Sequence, residues 1–337
     1  MTDAKRVVLK PGREKSIVHR HPWIYSGAIA RTDGSPEPGD TVEVLSSGGR
    51  WLARGTFNAR SQITVRLYSW QEDQPLDAAL VADRLRRAIA LRESLGLGQI
   101  ANAYRLVSAE SDLLPGLIVD RHGDYLVLQV LSAGAERWKD QSVAFLQEML
   151  NPAGIYERSD ATVREKEGLP KAVGTLAGKE PPALLEIQEN GRHFLVDVMR
   201  GHKTGFYLDQ RENRRKITGY CAGKDVLNAF SYTGGFGVYA SVYGASKVLH
   251  LDSSAEALEL ARRNVELNTR VARCEHEFME ANAFAALRAF RAAGRTFDVI
   301  ILDPPKFAES AGQLPRALNG YKDINLVAMQ LLRPGGT

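Results

Sequence analysis

At 337 residues, with 44% hydrophobic and 25% charged residues, the sequence has the composition of a soluble globular protein of two or three domains, which excludes a disordered or fibrous chain. Two cysteines, Cys221 and Cys274, argue against a disulfide framework and against a zinc site, so no metal is expected. The apolar runs, such as Val299 to Leu302, are too short to span a bilayer and the N-terminus has no apolar signal core. A cytoplasmic protein with no membrane partner is expected, and a net charge of +4 scarcely favours nucleic acid over small molecules.

Residues 1–21 hold six basic side chains, Lys5, Arg6, Lys10, Arg13, Lys15 and Arg20, against Asp3 and Glu14. Beside Trp23 and Tyr25 such a cluster can grip phosphates and stack a base; a solvated basic edge is the blander reading, and this segment alone favours it. "GDTVEVLSSGGRWLARGTF" alternates apolar and polar at Val42 and Val44, turns at Gly48-Gly49 and resumes at Trp51, a hairpin signal. "QITVRLYSW" alternates again at Ile63, Val65 and Leu67. Residues 1–72 are therefore expected to form a small all-β module, a barrel.

The spacing of Val81, Leu85, Ala88, Arg92 and Leu95 predicts a helix that Gly96 ends. Strand, turn at Pro115-Gly116, strand, turn at His122-Gly123 and strand follow. Glu110 and Asp112 can touch a ligand, but turn residues beside Pro-Gly are the plainer reading. The proline- and glycine-rich "LAGKEPPALLEIQENG" closes a central α/β segment, residues 73–185.

From residue 186 strands and helices alternate through "KDVLNAF", "SKVLHLD", "HEFMEAN" and "FDVIILDPP", which means a parallel sheet with right-handed crossovers. A capping box, Ser253 to Glu256, opens the helix that places Leu258, Ala261 and Val265 on one face. Ligands of such sheets sit at the carboxyl ends of the strands. There stand Gly234, Gly235 and Gly237, which let the backbone approach a ligand or a packed strand. Asp252 can accept two ribose hydroxyls, and Asn282 can meet an adenine edge. The glycines read G-G-F-G, which departs from the dinucleotide pattern G-x-G-x-x-G. Asp303 followed by two prolines fits a methyltransferase better, so S-adenosylmethionine is the expected cofactor.

"GHKTGFYLDQRENR" (201–214), "VLNAFSYTGGFGVYA", "HLDSS" and "ILDPPKFA" resemble the bacterial 23S ribosomal RNA (cytosine-5) methyltransferases, and "LKPGREKSIVHRHPWIYSGAI" is similar to the opening of their PUA domain. The resemblance covers the whole chain. It implies a Rossmann-like class I methyltransferase domain over 186–337, a PUA-like RNA-binding domain over 1–72, an RNA surface at the basic N-terminus, ribosomal RNA as partner, and a homodimer. It also implies that Phe206, Asn228, Phe230 and Ser231 surround the cofactor, with Gly234 and Ser253 beside them, Asp252 on its ribose and Asn282 near its adenine. Arg211 is a partner for the methionyl carboxylate or RNA phosphate, or forms a surface salt bridge.

Carbon 5 of cytosine is a poor nucleophile until a thiolate adds to carbon 6, and Asp303 would hydrogen-bond the ring at N3. Lys306 and then Phe307 follow the prolines, not the aromatic residue that exocyclic-amine methyltransferases place there. Cys221 and Cys274 both precede their strands, at the wrong end of the sheet. The resemblance places the attacking cysteine after a fifth strand, beyond Thr337. Four strands in place of seven leave Val299 to Leu302 as a solvent-exposed edge, so a truncated chain or a covering partner is expected. Methylation of another atom, such as guanine N7, and a non-catalytic RNA-binding protein are the alternatives.

Overall fold

β-Branched residues alternating with polar ones favour extended backbone with one buried face, and residues 6–69 follow that rule. They form β1 (Arg6–Leu9), α1 (Lys15–Val18), β2 (Trp23–Tyr25), β3 (Ile29–Asp33), β4 (Thr41–Leu45), β5 (Trp51–Phe57) and β6 (Ile63–Ser69). The computed structural model describes residues 5–268, 274–308 and 310–337; Asp3, counted above beside the basic cluster, lies outside them. The six strands lie in the order β2-β6-β5-β4-β1-β3, with β1 parallel to β4 and the other pairs antiparallel. Val42, Val44, Val65 and Leu67 are buried with Leu9 and Ile17, and Gly49, at φ +82°, turns β4 into β5. β6 breaks the alternation: Arg66 is buried too, because Glu167 accepts from it at 2.8 Å.

Asp77 caps α2 (Ala78–Ser94), accepting from the Leu80 amide at 2.9 Å. Val81, Leu85, Ala88 and Arg92 share its buried face as their spacing predicts, but Leu95 falls past the last turn and is 59% exposed. Gly96, at φ +64°, stops the helix there. α3 (Leu97–Ile100), β7 (Ala103–Ser108), β8 (Leu117–His122), β9 (Tyr125–Val130), α4 (Ala133–Arg137), α5 (Lys139–Leu150), β10 (Gly154–Ser159), α6 (Val163–Lys166) and β11 (Ala172–Gly178) follow. Their strands pair in the order β11-β10-β9-β8-β7, and Leu85 and Leu146 pack on Val107, Val119 and Leu128. Both sheets belong to one compact unit, Met1–Leu185 with Val196–Phe206, while Glu186–Leu195 and Tyr207–Thr337 form a second.

The second unit opens on a hairpin, β12 (Leu185–Glu189) and β13 (Arg192–Val196), whose turn residues Asn190 and Gly191 both take positive φ, as a type I′ turn requires. Arg214 of α7 (Arg211–Ile217) is buried and grips Glu189 with two hydrogen bonds of 2.6 and 2.8 Å. Then come β14 (Asp225–Ala229), α8 (Gly235–Val242), β15 (Lys247–Asp252), α9 (Ala255–Asn268), β16 (Glu275–Glu280), α10 (Ala283–Ala292), β17 (Val299–Leu302) and α11 (Leu314–Leu331). All four strands are parallel, in the order β16-β15-β14-β17, so the chain reverses direction across the sheet at β14. That reversal is the switch point where open α/β sheets bind ligands.

Two expectations need correction. The cap of α9 is Ser254, whose hydroxyl accepts from the Ala257 amide at 3.1 Å, not Ser253. Burial of Ala257, Leu258, Ala261 and Val265 sets the helix phase and moves its start one residue on. Nor is β17 an exposed apolar edge. Val299 and Ile301 are buried on one face, Ile300 and Leu302 pack on the other, and Ile300 N–H donates to Thr337 O at 2.9 Å while Thr337 N–H donates to Asp298 O at 3.0 Å.

Candidate active site

In-register pairing puts the ends of three strands level. Ala229 of β14 stands opposite Leu251 of β15 and Leu302 of β17, so the next residues, Phe230, Asp252 and Asp303, form a row along the carboxyl rim. Glu280 extends it, paired with Asp252. Strands lie about 4.8 Å apart, so the backbones that carry Asp252 and Asp303, on either side of β14, stand roughly 10 Å from one another across the switch point.

The turn that follows β14 is strained. Phe230 (φ +59°) and Tyr232 (φ +47°) occupy the left-handed region that disfavours residues with a Cβ, at about 1–3 kcal/mol each. Three bonds hold the turn: Ser231 N–H donates to Leu251 O at 3.0 Å, Tyr232 N–H to Asp252 Oδ2 at 2.7 Å, and Gly234 N–H to Ser231 O at 2.9 Å. Within this segment Asn228 Nδ2, Ser231 Oγ and Thr233 Oγ1 are buried with no hydrogen-bond partner among the described residues. An orphaned buried polar group costs about 1–3 kcal/mol, so three at one strand end mark a place built for a polar ligand. Sequence reasoning missed Thr233, although it lies inside the glycine segment quoted above.

Both Asp252 oxygens are pre-oriented by backbone, Oδ2 by Tyr232 and Oδ1 by the Ser254 amide at 3.0 Å, and each keeps a lone pair for a hydroxyl. Ser253 is exposed beside it. Asn282 also serves the fold, because its Oδ1 caps α10 by accepting from Ala285 N–H at 3.2 Å, which leaves its amide as a donor. Arg211 opens α7 with Nε 3.5 Å from Glu212, yet that nitrogen is buried and makes no hydrogen bond among the described residues, so the pair does not saturate it. Phe206 is buried as the last residue of the first unit's segment. Tyr207, which no motif singled out, packs edge-on to Tyr232 at 5.6 Å; burial raises its pKa, with Asp303, Asp209 and Asp252 adding to the effect. The phenol therefore stays neutral between the rim acids.

Not every glycine of the loop serves a ligand. A Cβ on Gly237 would meet His250 Cε1 at 2.2 Å, so this glycine lets α8 rest on a buried ring. Gly234 is required in its turn by φ +80°. The cysteines stand away from the rim. Cys221 precedes β14 and Cys274 precedes β16; burial pushes both thiols up to about 11, and Cys221 Sγ donates to Ile217 O at 3.1 Å.

In the first unit the basic cluster is partly structural. Lys5 pairs with Asp40 at 2.5 Å and Lys10 donates to Gly27 O at 3.0 Å, while Arg13, Lys15 and Arg20 are exposed. A cleft of about 300 Å³ is lined by Arg13, Ile17, Trp23 and Tyr25. Glu110 accepts from Trp23 Nε1 at 2.9 Å, and Asp112 binds Arg92 through two bonds of 2.7 and 2.8 Å, so both acids serve the fold. Among the described residues no helix is long and apolar enough to cross a membrane, and no group of His, Cys, Asp and Glu is arranged to hold a metal.

A parallel sheet of this strand order, with acids flanking a strained polar turn at the switch point, is the binding domain of a class I methyltransferase. Comparison with known proteins agrees: residues 7–70 match the PUA-like domain model and residues 141–337 the S-adenosylmethionine-dependent methyltransferase model. The chain is 49% identical over 98% of its length to ribosomal RNA large subunit methyltransferase I of Erwinia tasmaniensis, covering 83% of that protein. It is 48% identical, with the same coverage of both chains, to the protein of that name from Yersinia pseudotuberculosis. The crystal structure of SMU.776 complexed with SAH superposes with a TM-score of 0.83 at 23% identity over 97% of this chain and 83% of that one, which shows the shared fold. The chain belongs to the ribosomal RNA large subunit methyltransferase I family, and its cofactor is S-adenosylmethionine.

Proposed function

We propose that the protein methylates carbon 5 of a cytosine in large-subunit (23S) ribosomal RNA, in the cytoplasm. The reading is carried by the carboxylate row at the switch point beside three orphaned buried polar groups. In it, residues 1–72 hold RNA through the exposed Arg13, Lys15 and Arg20, residues 73–185 form a central domain, and residues 186–337 bind the donor and act on the base. A homodimer belongs to the same reading and is checked by light scattering.

The donor, when bound, supplies an electrophilic methyl group. Asp252 accepts its ribose hydroxyls, Asn228, Ser231 and Thr233 satisfy their orphaned groups on its polar atoms, Asn282 donates to its adenine, and Arg211 meets its carboxylate. The target base leaves its stack to reach the rim. Asp303, fixed by Pro304 and Pro305, shares a proton with that base at N3, and the proton offsets the negative charge that gathers there. Carbon 5 also requires a thiolate on carbon 6, a role for which the buried Cys221 and the half-buried Cys274, both with raised pKa, are unsuited. Their placement favours one second reading, methylation of guanine N7, which needs no thiolate.

Replacing Asp252 by Ala is expected to weaken donor binding at least about tenfold by calorimetry, the loss of charge-assisted hydrogen bonds to two hydroxyls. Nucleoside mass spectrometry of methylated RNA decides the atom: 5-methylcytidine supports the first reading and 7-methylguanosine the second.

A further inference from the structure

Beside the rim a second cleft, of about 660 Å³, opens between α10 and α11. Its floor is aromatic. Phe284 and Phe307 lie 5.5 Å apart between ring centres, and Phe307 stacks on Tyr321 at 4.3 Å while Tyr321 Oη accepts from the Phe307 amide at 3.2 Å. Its walls are cationic. Arg288 is held by Asp323, and Arg316 is exposed with no ion-pair partner among the described residues. Arg291 and Lys322 add charge on the same two helices, against the single acid Asp323.

Gly320 keeps the cleft open. It lies inside α11, where glycine is less favourable than alanine. A Cβ there would stand 3.3 Å from Phe307 Cδ2 and 3.8 Å from Phe284 Cζ, covering the floor. The cleft is also tied to the reaction rim by sequence. Phe284 follows Asn282, the cap of α10, and Phe307 follows Asp303 by four residues. Arg288 lies six residues along the helix from Asn282, about 9 Å at the helical rise.

Half-buried rings walled by guanidinium groups are how proteins hold single-stranded nucleic acid, the rings stacking a base and the cations meeting phosphate. We infer that this cleft is an RNA subsite, separate from the methyl-donor pocket, that holds a nucleotide flanking the target base. The inference rests on the ribosomal RNA reading above and adds the place where the strand next to the target is gripped.

The test uses the full chain and a fluorescent, unstructured oligoadenylate, with anisotropy measured across a salt series. Arg316→Ala is expected to weaken binding several-fold and to flatten the log–log salt slope by about 0.7, the contribution of one phosphate contact on a single strand. Gly320→Leu fills the cleft and is expected to cost about tenfold, the loss of one stacked base. Donor affinity by calorimetry stays at the wild-type value in both. A wild-type chain that binds no RNA overturns the ribosomal RNA reading and this inference together. Unchanged RNA affinity and slope in both variants overturn the cleft alone, and so does a matching loss of donor affinity, which would make the cleft part of the donor pocket. Arg316 is a surface residue, so its variant folds and reports even where Gly320→Leu does not.

Discussion

His122 makes the first unit acid-labile. It ends β8 fully buried, and neither ring nitrogen has a hydrogen-bond partner among the described residues. Burial lowers its pKa to about 4, and the attraction of Asp120 offsets only part of that. In the unfolded chain it titrates near 6.5. Because the folded pKa is the lower one, the unfolded chain takes up the proton first as pH falls. Stability is therefore complete above about pH 6.5 and drains away as pH drops toward 4. Integrating the linkage between those values gives a loss of roughly 2 kcal/mol by pH 5. Replacing His122 by Leu removes the titration, so the stability difference between variant and wild type should shift by about 2 kcal/mol in the variant's favour from pH 7 to pH 5. All four tryptophans, Trp23, Trp51, Trp70 and Trp138, lie in the first unit, so urea titration followed by tryptophan fluorescence reads that unit by itself. Equal losses of stability by wild type and variant between the two pH values would refute the reasoning.

Gly237→Ala should destabilise the second unit by about 1–3 kcal/mol, the usual cost of overpacking, since His250 is stacked on Phe278 at 4.6 Å and bonded to His276 at 3.1 Å and cannot move aside. Scanning calorimetry checks it, and a loss of donor affinity without any drop in melting temperature would point instead to a ligand role for this glycine. Cys221→Ala and Cys274→Ala should both leave methyl transfer at the wild-type rate, and the native thiols should react slowly with iodoacetamide at pH 7 because so little thiolate exists. A methylation-dead variant of either cysteine would show that the thiol reaches the base after all.

The local sequence held much of this molecule, because strand and helix periods are short-range signals. Val42, Val44, Val65 and Leu67 announced a buried face by alternation, and Val81, Leu85, Ala88 and Arg92 did so by helical spacing. The strand ends followed, and with them Asp252, Asn282 and Asp303, since a parallel sheet offers its ligands one rim. What a side chain meets across the fold was beyond that reach. Whether Glu110 and Asp112 touch a ligand or bind Trp23 and Arg92 depends on strands and helices distant in sequence. Gly237 looked like a ligand turn until His250 came to lie beneath it. Interstrand register levelled Phe230, Asp252, Glu280 and Asp303 into one row, and only packing left Asn228, Ser231 and Thr233 buried without partners among the described residues. Periodicity fixes which face a residue takes; burial and register, which arise from many weak contacts at once, decide what that face touches.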